Sequence, residues 1–191
     1  MSIEPGLLLP WLLVVQGLVG GTDTLFNHEI VERLPKRLEA RGEIALHALR
    51  EAIYGTLFVG LAWSVWHGVA ALAIAALVAA EVVVTATDEL VENRIRVLPQ
   101  NERVLHVFLT LNLGLIVAVL VPVLRAWGDQ PTARVPVDHG ALSVVLTLLG
   151  LASWAWSLRD WRASGRLRRA AAALGETTVQ EVHAPPRANA R

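Results

Sequence analysis

Two stretches of this sequence carry nearly the same order of ligand-type residues. The first runs Thr22-Asp23, His28-Glu29, Leu34-Pro35, Glu43 and His47; the second runs Thr87-Asp88, Glu92-Asn93, Leu98-Pro99, Glu102 and His106. Carboxylates with imidazoles and no sulfur suit Fe, Mn or Zn, so divalent-metal chemistry is the first reading of such a set. Each stretch follows one long apolar run and leads into another. Charged and ionisable groups are costly in hydrocarbon, which makes an intramembrane set of them a functional site by default. Its repetition, neighbours included, argues against accident.

The elements that must position these residues are membrane helices. Of 191 residues, 54% are hydrophobic, and the mean hydropathy is +0.48. The apolar residues gather into runs at about 7–26, 44–66, 69–91, 104–127 and 140–158. Each is near the ~20 residues that a spanning helix needs. The first lacks a basic start and a small-residue cleavage pattern, so it reads as a span rather than a leader. Cysteine is absent, which excludes disulfides, thiolate metal sites and cysteine nucleophiles.

Basic residues set the expected orientation. Arg33, Lys36, Arg37 and Arg41 follow the first run, Arg94, Arg96 and Arg103 follow the third, and Arg159, Arg162, Arg166, Arg168 and Arg169 follow the fifth. The other side has only Arg125 and Arg134. The chain therefore reads as a multi-pass protein of a bacterial inner (cytoplasmic) membrane, N-terminus outside and C-terminus cytoplasmic. Trp11, Trp63, Trp66 and Trp127 would mark the outer interface and Trp161 the inner one. The fold class is all-α: a transmembrane domain over 1–174, with repeats at 7–66 and 69–127 and a fifth helix at 140–158. Residues 159–174 follow as a basic juxtamembrane segment, which either retains positive charge inside or lies on anionic lipid. Residues 175–191 read as a disordered cytoplasmic tail. The Trp66-His67-Gly68 turn and residues 128–138 read as outer loops.

Helical spacing aligns the polar residues. Glu81, Thr85, Asp88 and Glu92 are separated by four, three and four positions, so they share one face. Gln16, Gly20, Asp23 and Asn27 repeat that spacing, while Glu43, His47, Arg50, Glu51 and Tyr54 make a second face and Glu102 and His106 a third. Both repeats start outside, so they are parallel hairpins related by an axis along the membrane normal. Four helices around that axis, with a fifth beside them, would bring both Glu-x-x-x-His pairs together.

This plan resembles the di-metal carboxylate four-helix bundles, in which two helices give a Glu each and two give Glu plus His. The resemblance covers residues 16–110 and is one of logic. Those bundles space Glu and His by three, whereas here both pairs are spaced by four. The chain is also similar to small bacterial integral membrane proteins with His-Glu, Leu-Pro and Glu-x-x-x-His elements, a resemblance that implies no settled activity.

The candidate metal ligands are Asp23, His28, Glu29, Glu43, His47, Asp88, Glu92, Glu102 and His106, with His28 and Glu29 as alternatives. Glu43 and Glu102, with Asp88 as a further candidate, would bridge or cap two divalent ions, iron first, zinc or manganese next. Arg50 and Tyr54 would assist catalysis, with the deeper Glu51 and Glu81 paired to Arg50 or, for Glu81, reaching the metals. The expected activity is oxidation or hydroxylation of a lipid-soluble molecule, fed by a cytoplasmic electron donor, because no flavin, haem or nucleotide motif is visible. A dizinc hydrolase uses the same ligands; a proton or divalent-cation carrier, or a polar core that only fixes helix register, needs no reaction. Haem held by His47 and His106 is disfavoured by the surplus carboxylates. No feature points to nucleic acid. Plainer readings stand beside these. Glu29, Glu32 and Glu39 can be solvated ion-pair partners. Arg94, Arg96 and Arg103 can serve topology alone, and Glu89 can face headgroups. Thr85 and Thr110 can back-bond within their helices, and the Leu-Pro pairs can simply break the chain.

Overall fold

A computed structural model describes residues 5–183, with side chains described for residues 8–175. Among them are five long helices: α1 (Pro5–Asp23), α2 (Arg41–Trp63), α3 (Ala71–Ile95), α4 (Gln100–Gly128) and α5 (Ala141–His183). Each holds a stretch long and apolar enough to cross a membrane, so the chain is an all-α, multi-pass membrane protein. Leu72, Val83, Phe108, Leu111 and Leu148 are well exposed on its sides. Exposed apolar area of that extent suits contact with lipid tails.

The bundle is built across the repeats rather than within them. α1 packs chiefly on α4 and α2 on α3, while the α1–α2 and α3–α4 contacts are sparser. A two-fold rotation that exchanges the hairpins turns one cross-repeat pairing into the other. α5 has no counterpart; it lies along α2, the most extensive helix pairing in the molecule, and also touches α1. Two glycines allow that approach. A Cβ on Gly55 would fall 2.4 Å from the Trp154 ring, and one on Gly150 would fall 2.7 Å from Val59 and 3.0 Å from the Gly55 carbonyl oxygen.

One half of the bundle is an apolar core centred on Leu13, Leu57, Phe58, Ile74, Ile116 and Leu120. It ends under a feature that the sequence reading took for loops. β1 (Ser64–His67) pairs antiparallel with β2 (Ala133–Pro136), joining the α2–α3 connection to the α4–α5 connection. Arg134 lies over the Trp66 ring at 5.3 Å and donates to Ser64 Oγ at 2.8 Å. Gly68 follows β1 with φ +58°, and a Cβ there would strike Thr132. The two loops became a ribbon because they emerge side by side at one end, where their backbone groups can pair.

The other end departs from expectation in a second way. α5 continues without a break from the span through 159–174 and on to His183. Asp160, Ala163, Ser164 and Leu167 form one buried face of it, and Ala163 and Leu167 pack on Leu34, Ala40 and Ile44. This stretch thus packs its apolar side on the start of α2 and the connection before it. Leu34 of the first Leu-Pro pair is a core residue here, and Leu98 of the second is buried too. Of the segment read as a tail, the backbone is helical as far as His183, and residues 184–191 lie outside the described residues.

Replacing Gly150 by Leu should wedge α5 from α2. Overpacking of this kind costs ~1–3 kcal/mol, so thermal unfolding in detergent should occur at lower temperature than for wild type. Gly114→Leu, where an added Cβ meets nothing within 4 Å, should leave it nearly unchanged.

Candidate metal centre

Each aspartate of the repeat meets the histidine of the other copy. Asp23 Oδ2 lies 3.2 Å from His106 Nε2, and Asp88 Oδ2 lies 3.1 Å from His47 Nε2. His28 Nε2 lies 3.5 Å from Asp23 Oδ2 and 3.3 Å from Glu102 Oε1. Glu92 reaches both halves, 3.5 Å from His47 Nε2 and 3.4 Å from His106 Nδ1. The His28 and His47 rings meet edge to face, with centroids 4.3 Å apart. All these side chains are buried.

The backbone after α1 explains how His28 arrives there. Asp88 and Glu92 are four residues apart, but Asp23 and His28 are five apart. In an α-helix a fifth residue points away from the first. Residues Thr24–Val31 are instead wound as a π-helix. Its i→i+5 bonds return the fifth residue to the same face, and such turns recur at functional sites. The extra residue is absorbed, and His28 takes the place that Glu92 holds in the other repeat. Of the two alternatives, His28 is buried in the cluster, whereas Glu29 accepts a hydrogen bond from Arg159 on α5. Glu29 is therefore not among the grouped ligands, because α5 supplies it with a cation of its own.

Arg96 is the residue whose importance the sequence reading missed. The positive-inside rule alone assigns it to topology, yet its guanidinium bridges the two helix-start glutamates. Nη2 donates to Glu43 Oε1 at 2.7 Å and to Glu102 Oε1 at 2.5 Å, while Nη1 donates to Glu102 Oε2 at 2.8 Å. Glu92 Oε1 lies 3.5 Å from Nη2. The space between Glu43 and Glu102, where the sequence reading put bridged metals, is thus spanned by Arg96. Burial works against its charge, but the hydrogen bonds to Glu102 and Glu43 outweigh burial and hold its pKa above the ordinary arginine value. The signal was present: Arg96 is four residues beyond Glu92, the next step of the stripe.

Deeper in the bundle, Arg50 donates to Asp88 Oδ2 at 2.8 Å and to Glu81 Oε1 at 3.3 Å. Thr85 donates to Glu81 at 3.0 Å rather than back-bonding to its own helix, because a buried carboxylate is the stronger acceptor. Gln16 donates to the Tyr54 hydroxyl at 2.9 Å and accepts from Asn112 at 2.7 Å. Glu51 does not bond Arg50 as expected, since Asp88 and Glu81 already engage that guanidinium; its Oε2 is buried without a partner. Glu89, read as facing headgroups, reaches His106 Nδ1 at 3.1 Å. Asp160 of α5, which the sequence reading passed over, is buried and pairs with Arg159 at 3.2 Å.

These groups fit a cation. Among the described residues, Asp23, Glu43, Glu81, Asp88, Glu92 and Glu102 are six buried carboxylates of this cluster and only two guanidiniums reach them: Arg50 faces Glu81 and Asp88, Arg96 faces Glu43, Glu92 and Glu102, and Asp23 faces His28 and His106. That leaves four negative charges to be balanced by protons or bound ions, and two divalent ions balance them fully. Donor atoms of Asp23, His28, Glu102 and His106 all lie within 4.8 Å of one another, as do those of His28, His47 and Glu92 and those of Glu89, Glu92 and His106. Ligands about 2.1 Å from a shared ion stand roughly 3.0–3.4 Å apart, close to the spacings above. His28 Nε2, His47 Nε2, Asp88 Oδ1 and Glu92 Oε2 are buried without a hydrogen-bond partner. No family model, curated protein or solved structure matches the chain.

Removing Arg96 should expose the charge imbalance. Arg96→Leu breaks a buried ion network, a loss of ~3–5 kcal/mol, read as a lower unfolding temperature in chelator-treated detergent solution. Excess Mn²⁺ should recover most of the loss, since a divalent ion can take over the neutralising role. An unchanged unfolding temperature in chelator would contradict this account of the cluster.

Proposed function

We propose that this protein is a membrane-embedded dimetal enzyme, with iron the favoured metal, that oxidises or hydroxylates a lipid-soluble molecule. The observation that supports this reading is a cavity of about 190 Å³ beside the cluster. Asp23, His28 and His47 lie at its polar end, and the exposed Gly21, Leu25 and Ala152 lie at the opening between α1 and α5. A hydrophobic substrate would thus reach the polar cluster sideways from the bilayer.

Asp23, His28, Glu102 and His106 would hold one ion. His47, Asp88 and Glu92 would hold the second, with Glu43 kept near by Arg96. Bound iron would supply the reduction of dioxygen; bound zinc, the alternative, would supply Lewis acidity for hydrolysis. Hydroxylation inserts one atom of dioxygen into a C–H bond and releases the other as water, which takes two electrons and two protons from a donor at the polar end. The chain's own part is to hold the ligands in register. Arg50 fixes Asp88 from behind, an outer hydrogen bond of the type that tunes ligand basicity. Gln16, Tyr54 and Asn112 close the inner end of the polar zone, and Phe58 and Leu149 keep the cavity wall dry. By the positive-inside rule the arginine-rich polar end would face the cytoplasm of a bacterial inner membrane, N-terminus outside. A proton or cation carrier is the weaker reading, because the core beyond Gln16 and Tyr54 is made by Leu13, Leu57, Ile74, Ile116 and Leu120, side chains that offer no ligand to an ion.

Metal analysis of detergent-purified protein tests the proposal. Two iron ions per chain are expected, with loss of both in a His47→Ala/His106→Ala double variant. Two zinc ions would move the assignment to a hydrolase, and the absence of any stoichiometric metal would end it.

A further inference from the structure

We infer that Asn27 and Glu29, the two neighbours of His28, are positioning residues: tied to α4 and to α5, they hold the π-turn that builds the ion site of Asp23, His28, Glu102 and His106. As an account of ion affinity this rests on the proposed dimetal centre, but the placing of His28 requires no ion. His28 is the fifth residue after Asp23. A regular α-helix would set it roughly 140° round the axis from that carboxylate. The π winding of Thr24–Val31 brings it back, to 3.5 Å from Asp23 Oδ2 and 3.3 Å from Glu102 Oε1. This is the rarer winding of a helix, so it persists where tertiary contacts favour it over the α form.

Those contacts sit on both sides of His28. Asn27 is fully buried. Its Nδ2 donates to Asp23 Oδ1 at 2.6 Å, and its Oδ1 accepts from Asn101 Nδ2 at 2.5 Å. A carboxylate only accepts, so the amide nitrogen faces Asp23 and the amide oxygen faces Asn101. Asp23 Oδ1 is thereby engaged, and Oδ2 is left toward His28 and His106. Asn101 stands beside Glu102 at the start of α4, so this chain of bonds ties the turn to another member of the site. On the far side of His28, Glu29 accepts from Arg159 of α5. Arg159 is itself fixed, by Asp160 at 3.2 Å and over the Trp156 ring at 5.2 Å.

Relaxing the turn to α winding would shift one flank against the other by one residue. Contacts ahead of the turn and behind it cannot all survive that shift, so the ties select the π form. The other repeat needs no such device. Asp88 and Glu92 are four apart on the regular helix α3 and meet His47 directly. Loosening the turn therefore acts on the ion of Asp23, His28, Glu102 and His106 and spares that of His47, Asp88 and Glu92. It also gives α5 a hold on the centre, although α5 supplies none of the grouped donor atoms among the described residues.

Two measurements on full-length, detergent-purified protein test this. The chain has no cysteine, so His28→Cys carries a single thiol. Its alkylation by a water-soluble maleimide, with no metal present, reports how often position 28 leaves the interior. Asn27→Ala added to that variant should speed alkylation ~10-fold or more, the scale of one lost buried hydrogen bond, and Glu29→Gln several-fold. A thiol placed in the apolar core by Val84→Cys should keep its rate with either change, which separates opening of the turn from loosening of the bundle. With His28 restored, Mn²⁺ titration is followed by the electron paramagnetic resonance of the free ion. Glu29→Gln and Arg159→Gln should each weaken one of two ions ~10-fold and leave the other as in wild type. The double variant should be no weaker than either single one, since both remove the same tie. A thiol at position 28 whose rate neither Asn27→Ala nor Glu29→Gln moves, or two ions that respond alike, would overturn the inference. Two bound ions with an unmoved thiol rate sink this inference alone; faster alkylation in a chain whose wild type binds no Mn²⁺ sinks the enzymatic reading alone.

Discussion

Buried negative charge is the constraint on which the rest of this structure depends. Carboxylates held away from water must be matched by cations or lose their charge, because the interior cannot solvate them. The molecule answers with pairings that no single helix or hairpin can complete. Asp23 needs His106 and Asp88 needs His47, each from the other repeat. Arg96 ties Glu43 of α2 to Glu102 of α4, and Arg50 of α2 ties Glu81 and Asp88 of α3. Breaking the bundle apart in lipid would strand these groups. The polar cluster therefore specifies which helices meet, a role that hydrophobic packing cannot play where the solvent is itself apolar.

The duplicated hairpins and α5 contribute different things. The repeats build a nearly two-fold charge centre. α5 breaks that symmetry by lying on α2 and α1, while the equivalent face of α4, with Val107, Phe108 and Leu111, stays exposed. Only on the α5 side do Ala152, Ser153 and Trp156 close a cavity against the cluster. The π-helix between Asp23 and Val31 breaks the symmetry a second time, setting His28 where the other repeat has Glu92. A centre with His28, His47 and His106 against acidic residues thus arises from copies that each supply one Glu-x-x-x-His pair.

Much of this was legible because the membrane makes polar residues rare and helical spacing makes their faces readable. The stripe Glu81, Thr85, Asp88, Glu92 was visible as such, and all four side chains are buried. Arg96, its next member, was hidden by the rule that arginines beside a membrane helix enforce topology. Asp160 was hidden in a run of basic residues, where nothing local shows that it turns inward. Glu29 and His28 are adjacent, and a regular helix would have favoured neither; the π winding turns His28 toward the cluster. The ribbon of β1 and β2 joins residues about 70 positions apart, a pairing that no local pattern announces.

By itself the sequence determined that the chain is a multi-pass helical membrane protein with a repeated acidic and imidazole motif near one end of its spans. These properties follow from hydropathy and from the 3.6-residue period, both local quantities. Which carboxylate meets which histidine, that Arg96 rather than open space lies between Glu43 and Glu102, and that α5 walls a cavity were decided by the tertiary structure. They depend on how helices distant in sequence approach, and that is set by the collective demand of buried charges for partners.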